Sequence, residues 1–139
     1  MNIVSSEFSE IAWNYFLLAK KIAQQNFHQN IDSEHIFLSI LQNNQSVKKI
    51  LKQNELNLEI LEKIVLKKIK NKGKMKNIQG TLFIGDSLHK ILIKANDIKI
   101  NSREVVISTE HILLGLIYDK SIGIYILNKK TIPEFLEFF

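Results

Sequence analysis

An all-α fold built from two copies of one helical repeat is predicted by three features of the 139-residue chain. Apolar residues recur every three or four positions through most of it, the spacing that puts them on one face of a helix. The string Ile31-Asp-Ser-Glu34-His35-Ile36-Phe-Leu38 returns as Ile107-Ser-Thr-Glu110-His111-Ile112-Leu-Leu114, 76 residues later. Alternating apolar and polar runs are almost missing: Thr81-Leu-Phe-Ile and Val105-Val-Ile read as too short and too isolated to build a sheet. The same offset pairs Phe8 with Ile84, Ala19 with Ala95, Ile22 with Ile98, Ile50 with Ile126 and Leu51 with Leu127 without a gap. A self-match of this kind fixes the organisation before any element is read. It gives one domain over 1–139, with repeat one over about 8–70, a linker over about 71–83 and repeat two over about 84–139.

Each repeat reads as four helices, about eight in all, related by a pseudo-twofold. Phe8, Ile11, Ala12, Tyr15, Leu18, Ala19, Ile22 and Ala23 form the apolar stripe of a first helix over about 8–26. A polar turn follows, and the Ser33 hydroxyl is expected to cap the free N–H groups of a second helix. Glu34 then lies in the first turn, where the helix dipole favours an acid. A short third helix surrounds Val47, Ile50 and Leu51. A fourth runs from about Asn57 to Ile69 and dissolves into lysines. Repeat two is expected to follow with helices over about 84–100, 109–119 capped by Thr109, and 122–129. Pro133 then opens a final stub, since a first-turn proline gives up no hydrogen bond. The stub ends about seven residues short of its counterpart, leaving Phe135, Leu136, Phe138 and Phe139 partly exposed.

Composition narrows the function. There is no Cys, which removes disulfides, thiolate zinc sites and cysteine nucleophiles. No apolar run approaches the ~20 residues that cross a bilayer, and Met1-Asn-Ile-Val-Ser-Ser lacks the order of a secretory signal. The cytoplasm is the expected compartment, with a plastid-type organelle the alternative if a presequence has been removed. The net charge of +5 is local: Lys63, Lys67, Lys68, Lys70, Lys72, Lys74 and Lys76 lie in a stretch without acids, and the rest holds twelve bases against fourteen acids. Such a run attracts polyanions, yet Arg103 is the sole arginine and no aromatic interleaves the lysines. Neither a specific nucleic acid nor a membrane is expected as a partner.

Catalytic signatures are missing too. Gly80-Thr-Leu-Phe-Ile-Gly85-Asp86-Ser87 puts an acid where a phosphate loop needs lysine. No Gly-x-Ser-x-Gly elbow or His-Glu-x-x-His string occurs. His35 and His111 occupy equivalent positions without a second ligand at i+4. They read as structural histidines bonding the opposite repeat or a nearby carbonyl, and no metal site is expected.

Four motifs in order carry a resemblance: Phe8-Ser-Glu-Ile-Ala12-Trp13, Ser33-Glu-His-Ile-Phe-Leu, Leu82-Phe-Ile-Gly85-Asp-Ser87-Leu88 and Ile107-Ser-Thr-Glu-His-Ile-Leu-Leu-Gly-Leu. Over about 8–137 the chain resembles the N-terminal domain of the Clp family of hexameric unfoldase chaperones. The Ala12-Trp13 pair and the opening of repeat two fit the ClpB or Hsp100 disaggregase branch better than the protease-linked ClpC branch. The family's Gly-rich turn before the second motif is Asn101-Ser102-Arg103 here. The resemblance implies a domain that holds exposed apolar segments of unfolded or aggregated proteins before an ATP-driven AAA+ ring threads them. It implies no enzyme activity and no cofactor in the domain itself, with ATP and Mg bound by the parent's AAA+ modules. Client contacts carry over as Ser9, Glu104 and Glu110, with Trp13, Leu92 and Ile98 as groove walls. For Glu110 an alternative is pairing with the helix terminus, and for Trp13 it is core packing. A ClpC-type accessory that docks a Clp adaptor is the alternative function, and a basic polyanion-binding module a more distant one.

Overall fold

The computed structural model describes residues 3–53, 55–76, 80–120 and 122–123. After a 3-10 turn at Ser5–Glu7, repeat one contributes α1 (Glu10–Gln25), the two-residue strand β1 (Asn30–Ile31), α2 (Ser33–Asn43), α3 (Gln45–Gln53) and α4 (Leu58–Asn71). Repeat two contributes β2 (Phe83–Ile84), α5 (Asp86–Asn101) and α6 (Thr109–Ile117). The expected helix over 122–129 and the Pro133 stub with Phe135, Leu136, Phe138 and Phe139 fall outside the described residues, apart from Ile122 and Gly123. All-α is the class, and six of the eight expected helices lie within what is described.

Within each repeat the first two helices pack on each other, α1 on α2 and α5 on α6. Their crossings differ in one atom set. In repeat one the buried Ser39 hydroxyl donates to the Tyr15 carbonyl at 3.0 Å. The residues at the same offset in repeat two are Gly115 and Ile91, and a Cβ on Gly115 would lie 2.8 Å from the Ile91 carbonyl oxygen. Glycine is therefore required there by close backbone approach, and overpacking a core costs ~1–3 kcal/mol. Gly115→Ala is expected to cost about 1–2 kcal/mol, read by chemical denaturation. A melt indistinguishable from wild type would show that α5 and α6 separate freely.

The two repeats are interlocked through their opening segments. β1 pairs in parallel with β2, setting Ile31 opposite Ile84, and an isolated parallel bridge joins Phe8 to Ile107. The 76-residue offset converts one pair into the other. The Gly85 N–H donates to the Ile31 carbonyl at 2.8 Å, and the Ser9 N–H donates to the Ile107 carbonyl at 2.9 Å. Thus the segments read as too isolated for a sheet do pair, each with a partner from the other repeat that no local pattern reveals. Above these crossings one apolar core runs through both repeats, with Phe37, Ile36, Ile40, Ile91, Leu92 and Ile112 among its fully buried side chains.

Two expected caps move by one residue. Asp32, not Ser33, is the N-cap of α2, and Ser108, not Thr109, is the N-cap of α6. Ser33 and Thr109 are the first helical residues and are buried. Described residues of the expected linker make fixed contacts. Asn71 ends α4, the Lys72 ammonium is held by Glu34 and lies 3.6 Å from Asp32, and the Met75 N–H donates to the Phe27 carbonyl at 2.8 Å. Leu82 joins the core. Among the described residues no helix is long and apolar enough to cross a membrane.

Candidate functional site

The histidines at the third position of α2 and α6 set the local geometry. Asp32 N–H donates to His35 Nδ1 at 2.9 Å, and Ser108 N–H donates to His111 Nδ1 at the same distance. Each ring thus plays the part that Glu or Gln plays in a capping box. This corrects the expectation of a bond to the opposite repeat or a carbonyl. With Nδ1 accepting, the network assigns the proton to Nε2. His35 Nε2–H then donates to His28 Nδ1 at 2.9 Å, while His111 Nε2 lies 3.4 Å from Glu104 Oε2. His28 and Glu104 are themselves 76 residues apart, so one position supplies both partners.

The two settings differ electrically. His28 and His35 are buried. Burial, then the Lys72 charge, lowers the His28 pKa. Burial lowers His35 to about 4, with Lys72 and His28 adding and Glu34 opposing. Burial pushes the Glu34 carboxyl up, but its hydrogen bond with Lys72 prevails and the net shift is downward. Glu104, by contrast, stands 54% exposed. Among the described residues no group of three or more His, Asp or Glu side chains is placed to hold a metal ion.

Next to His111 opens a groove of about 590 Å³. The C-terminal end of α5 gives it Ile98 and Ser102, the following turn gives Glu104, and the head of α6 gives Ser108, Thr109, Glu110, His111 and Leu114. Asn44 and Ser46, at the start of α3, close it from repeat one. Arg103 holds the turn in the left-handed region at φ 58°, as Phe27 does at 57° in repeat one. The conformation usually supplied by glycine is therefore kept without one, and Glu104 stays at the groove.

Three of the six sequence-derived site residues meet here: Glu104, Glu110 and Ile98. The other three do not line it. Leu92 is 1% exposed and belongs to the core, so it walls no groove. Trp13 is half-buried, stacked on Phe16 at 5.0 Å and tilted on Phe8 at 5.7 Å, which is its packing role. The Ser9 hydroxyl accepts the Ala12 N–H at 3.2 Å as the cap of α1. Ser9→Ala is accordingly expected to cost about 1 kcal/mol of stability, the usual value of an N-cap, and to leave ligand binding unchanged. Weaker binding with an unaltered melt would return Ser9 to the site. Ser102 and Ser108 are not singled out by the sequence, and His111 is read there only as a structural histidine, although the offset that pairs Ser108 with Asp32 carries the signal for one of them.

Interlocked helical repeats with an acidic groove at the head of one second helix define a double-repeat domain of the Clp type. The chain belongs to the Clp repeat (R) N-terminal domain family, whose model matches residues 7–130. It is 31% identical over 137 residues to the chaperone protein ClpB of Prochlorococcus marinus, covering 98% of this chain and 16% of that protein. The chain thus spans less than a fifth of that relative. The fold is similar to the Hsp104 N-terminal domain from Candida albicans, with a TM-score of 0.77 at 22% identity over 93% of this chain and 81% of that one. It is also similar to the N-terminal domain of the caseinolytic protease associated chaperone ClpD from Arabidopsis thaliana, with a TM-score of 0.65 at 15% identity over 86% and 81%.

Proposed function

We propose that this domain captures exposed apolar segments of unfolded or aggregated proteins and passes them to the AAA+ ring of a hexameric disaggregase parent. The observation that carries the reading is the groove that gathers Glu104, Glu110 and Ile98 beside Val105, a residue 88% exposed. Carboxylates there accept peptide N–H groups or pair with basic side chains, while the half-buried Ile98 in the groove and the exposed Val105 next to Glu104 offer apolar surface. The domain has no turnover of its own in this reading, and ATP with Mg belongs to the parent's ring. The cytoplasm remains the proposed compartment and a plastid-type organelle the alternative.

The test is fluorescence anisotropy of a labelled, permanently unfolded protein titrated with the chain. A dissociation constant of micromolar to tens of micromolar is expected, roughly 6–8 kcal/mol. Glu110→Gln is expected to weaken it about five- to tenfold, an effect of about 1 kcal/mol, at unchanged melting temperature. Neutralising Lys63, Lys67, Lys68 and Lys70 on α4 is expected to change nothing. Absence of client binding would favour adaptor docking of the ClpC type. Loss of binding only with the lysines would point to a polyanion.

A further inference from the structure

The 76-residue offset relates the groove of repeat two to a place in repeat one that the chain itself fills. Ile98, Glu104, Ser108, Glu110 and His111 correspond to Ile22, His28, Asp32, Glu34 and His35. Around those counterparts runs the segment after α4. The Lys72 ammonium is held by Glu34, with Asp32 Oδ2 at 3.6 Å. Three residues on, the Met75 N–H donates to the Phe27 carbonyl at 2.8 Å, and Phe27 corresponds to Arg103. Lys72 and Lys74 both act on His28. Repeat one is therefore recorded with an extended lysine-bearing peptide in place.

The open groove keeps the charge such an occupant needs. Each site has two carboxylates, although only one occupies the same position in both. Asp32 gives way to Ser108 while His28 gives way to Glu104, so Asp32 with Glu34 becomes Glu104 with Glu110. In repeat one the two carboxylates share one ammonium. In repeat two, among the described residues, Glu104 faces His111 and Glu110 has no cation within ion-pair distance. The backbone is alike at this point too, since Arg103 and Phe27 share a left-handed φ of 58° and 57°.

We propose that the repeat-two groove takes an extended peptide segment presenting a lysine side chain, seated as Lys72–Met75 is seated in repeat one. The ammonium lies against Glu110 and Glu104, and a peptide N–H three residues later donates to the Arg103 carbonyl. The proposal rests on the client-capture reading of the same groove and specifies what part of a client it recognises. A chain of net charge +5 repels a basic peptide at long range, so affinity for one has to come from local carboxylates.

The probe is a fluorescein-labelled peptide of sequence Asn-Lys-Gly-Lys-Met, identical to residues 71–75, titrated by anisotropy into the whole chain at ~0.1 M salt, where charges more than ~10 Å apart are largely screened. A second peptide carries norleucine in place of its first lysine. The lysine peptide is expected to bind at least fivefold more tightly than the norleucine peptide. Glu110→Gln and Glu104→Gln are each expected to weaken it several-fold, and Glu59→Gln, an exposed carboxylate in the first turn of α4, is expected to have no effect. Equal affinity for the two peptides would overturn the proposal. So would equal loss in all three variants, which reports only diffuse charge attraction. If the unfolded client still binds in a Glu110-dependent way while the two peptides are equal, the lysine inference fails and client capture survives. If neither client nor peptide binds, both readings fail.

Discussion

Asp32→Ala is expected to lower the stability of the domain by about 3 kcal/mol, the sum of two lost charge-assisted hydrogen bonds and a weakened ion pair. Asp32 Oδ1 accepts the Ser33 N–H at 2.8 Å and the Leu88 N–H at 2.9 Å, so one carboxylate caps α2 of its own repeat and α5 of the other. The second bond reproduces the Ser9 cap in another way: Leu88 stands 76 residues after Ala12, and Gly85, the residue equivalent to Ser9, has no side chain to cap with. Glycine leaves the room that the carboxylate uses. A Cβ on Gly85 would sit 2.1 Å from Asp32 Oδ2, far inside contact distance. Asp32→Asn keeps an acceptor and should cost about 1 kcal/mol. Gly85→Ala should cost about 2–3 kcal/mol in the wild-type background, because it evicts the carboxylate. In the Asp32→Ala background it should cost almost nothing, since the clash has gone. Urea denaturation of the two single variants and the double variant reads the cycle. Additive effects would mean that the two repeats are not joined at this contact.

The residues explain how much of this architecture the chain discloses. Period and self-similarity are local or pairwise properties of a sequence, so α1, α2, α4, α5 and the repeat offset are legible without coordinates. The pairings of Phe8 with Ile107 and Ile31 with Ile84 are not, because a two-residue strand carries no pattern and its partner lies in the other repeat. The caps lie one residue before the expected ones for a related reason: Asp-Ser and Ser-Thr each offer two good capping groups in succession, and sequence does not say which lies outside the helix. The resemblance names Glu104 and Glu110, with Ile98 as a candidate wall, and the structure brings the three to one groove. Leu92 failed because an apolar residue on an amphipathic helix reads alike whether it faces a groove or the core. Applying the offset at every position aligns His28 with Glu104 and Asp32 with Ser108, and so shows that the repeats exchange a charge between two sites.

That exchange puts a buried pair of histidines in repeat one where repeat two has a histidine beside an exposed carboxylate, and acid should expose the pair. Burial first, then the neighbouring Lys72 and His28, hold His35 at about 4 against an ordinary value of 6.5. His28 is lowered in the same sense. Geometry gives the reason: a proton on His35 Nδ1 would face the Asp32 N–H, and a proton on His28 Nδ1 would face His35 Nε2–H. Charged groups meet the pair from three sides, Lys72 and Lys74 after α4, Glu34 within α2 and Asp32 before it. For a histidine whose folded pKa is depressed, the unfolded chain binds the proton first. The stabilisation is complete above pH 6.5 and is lost as pH falls toward 4, at up to ~1.4 kcal/mol per pH unit for one proton. His35 alone is then worth about 2–3 kcal/mol between pH 7 and pH 4, and His28 adds to the loss. Glu34, held low by Lys72, acts in the same direction once its own range is reached. Urea unfolding at pH 7, 5.5 and 4 measures the slope, and ring-proton NMR follows His35 directly. His35→Gln keeps both hydrogen bonds, since Gln at this position of a capping box accepts the Asp32 N–H and its amide donates to His28. It should cost about 1 kcal/mol at pH 7 and reduce the dependence below 6.5 to the part that His28 and Glu34 contribute. A His35 resonance titrating near 6.5, or a slope left undiminished by His35→Gln, would place the acid sensitivity elsewhere in the chain.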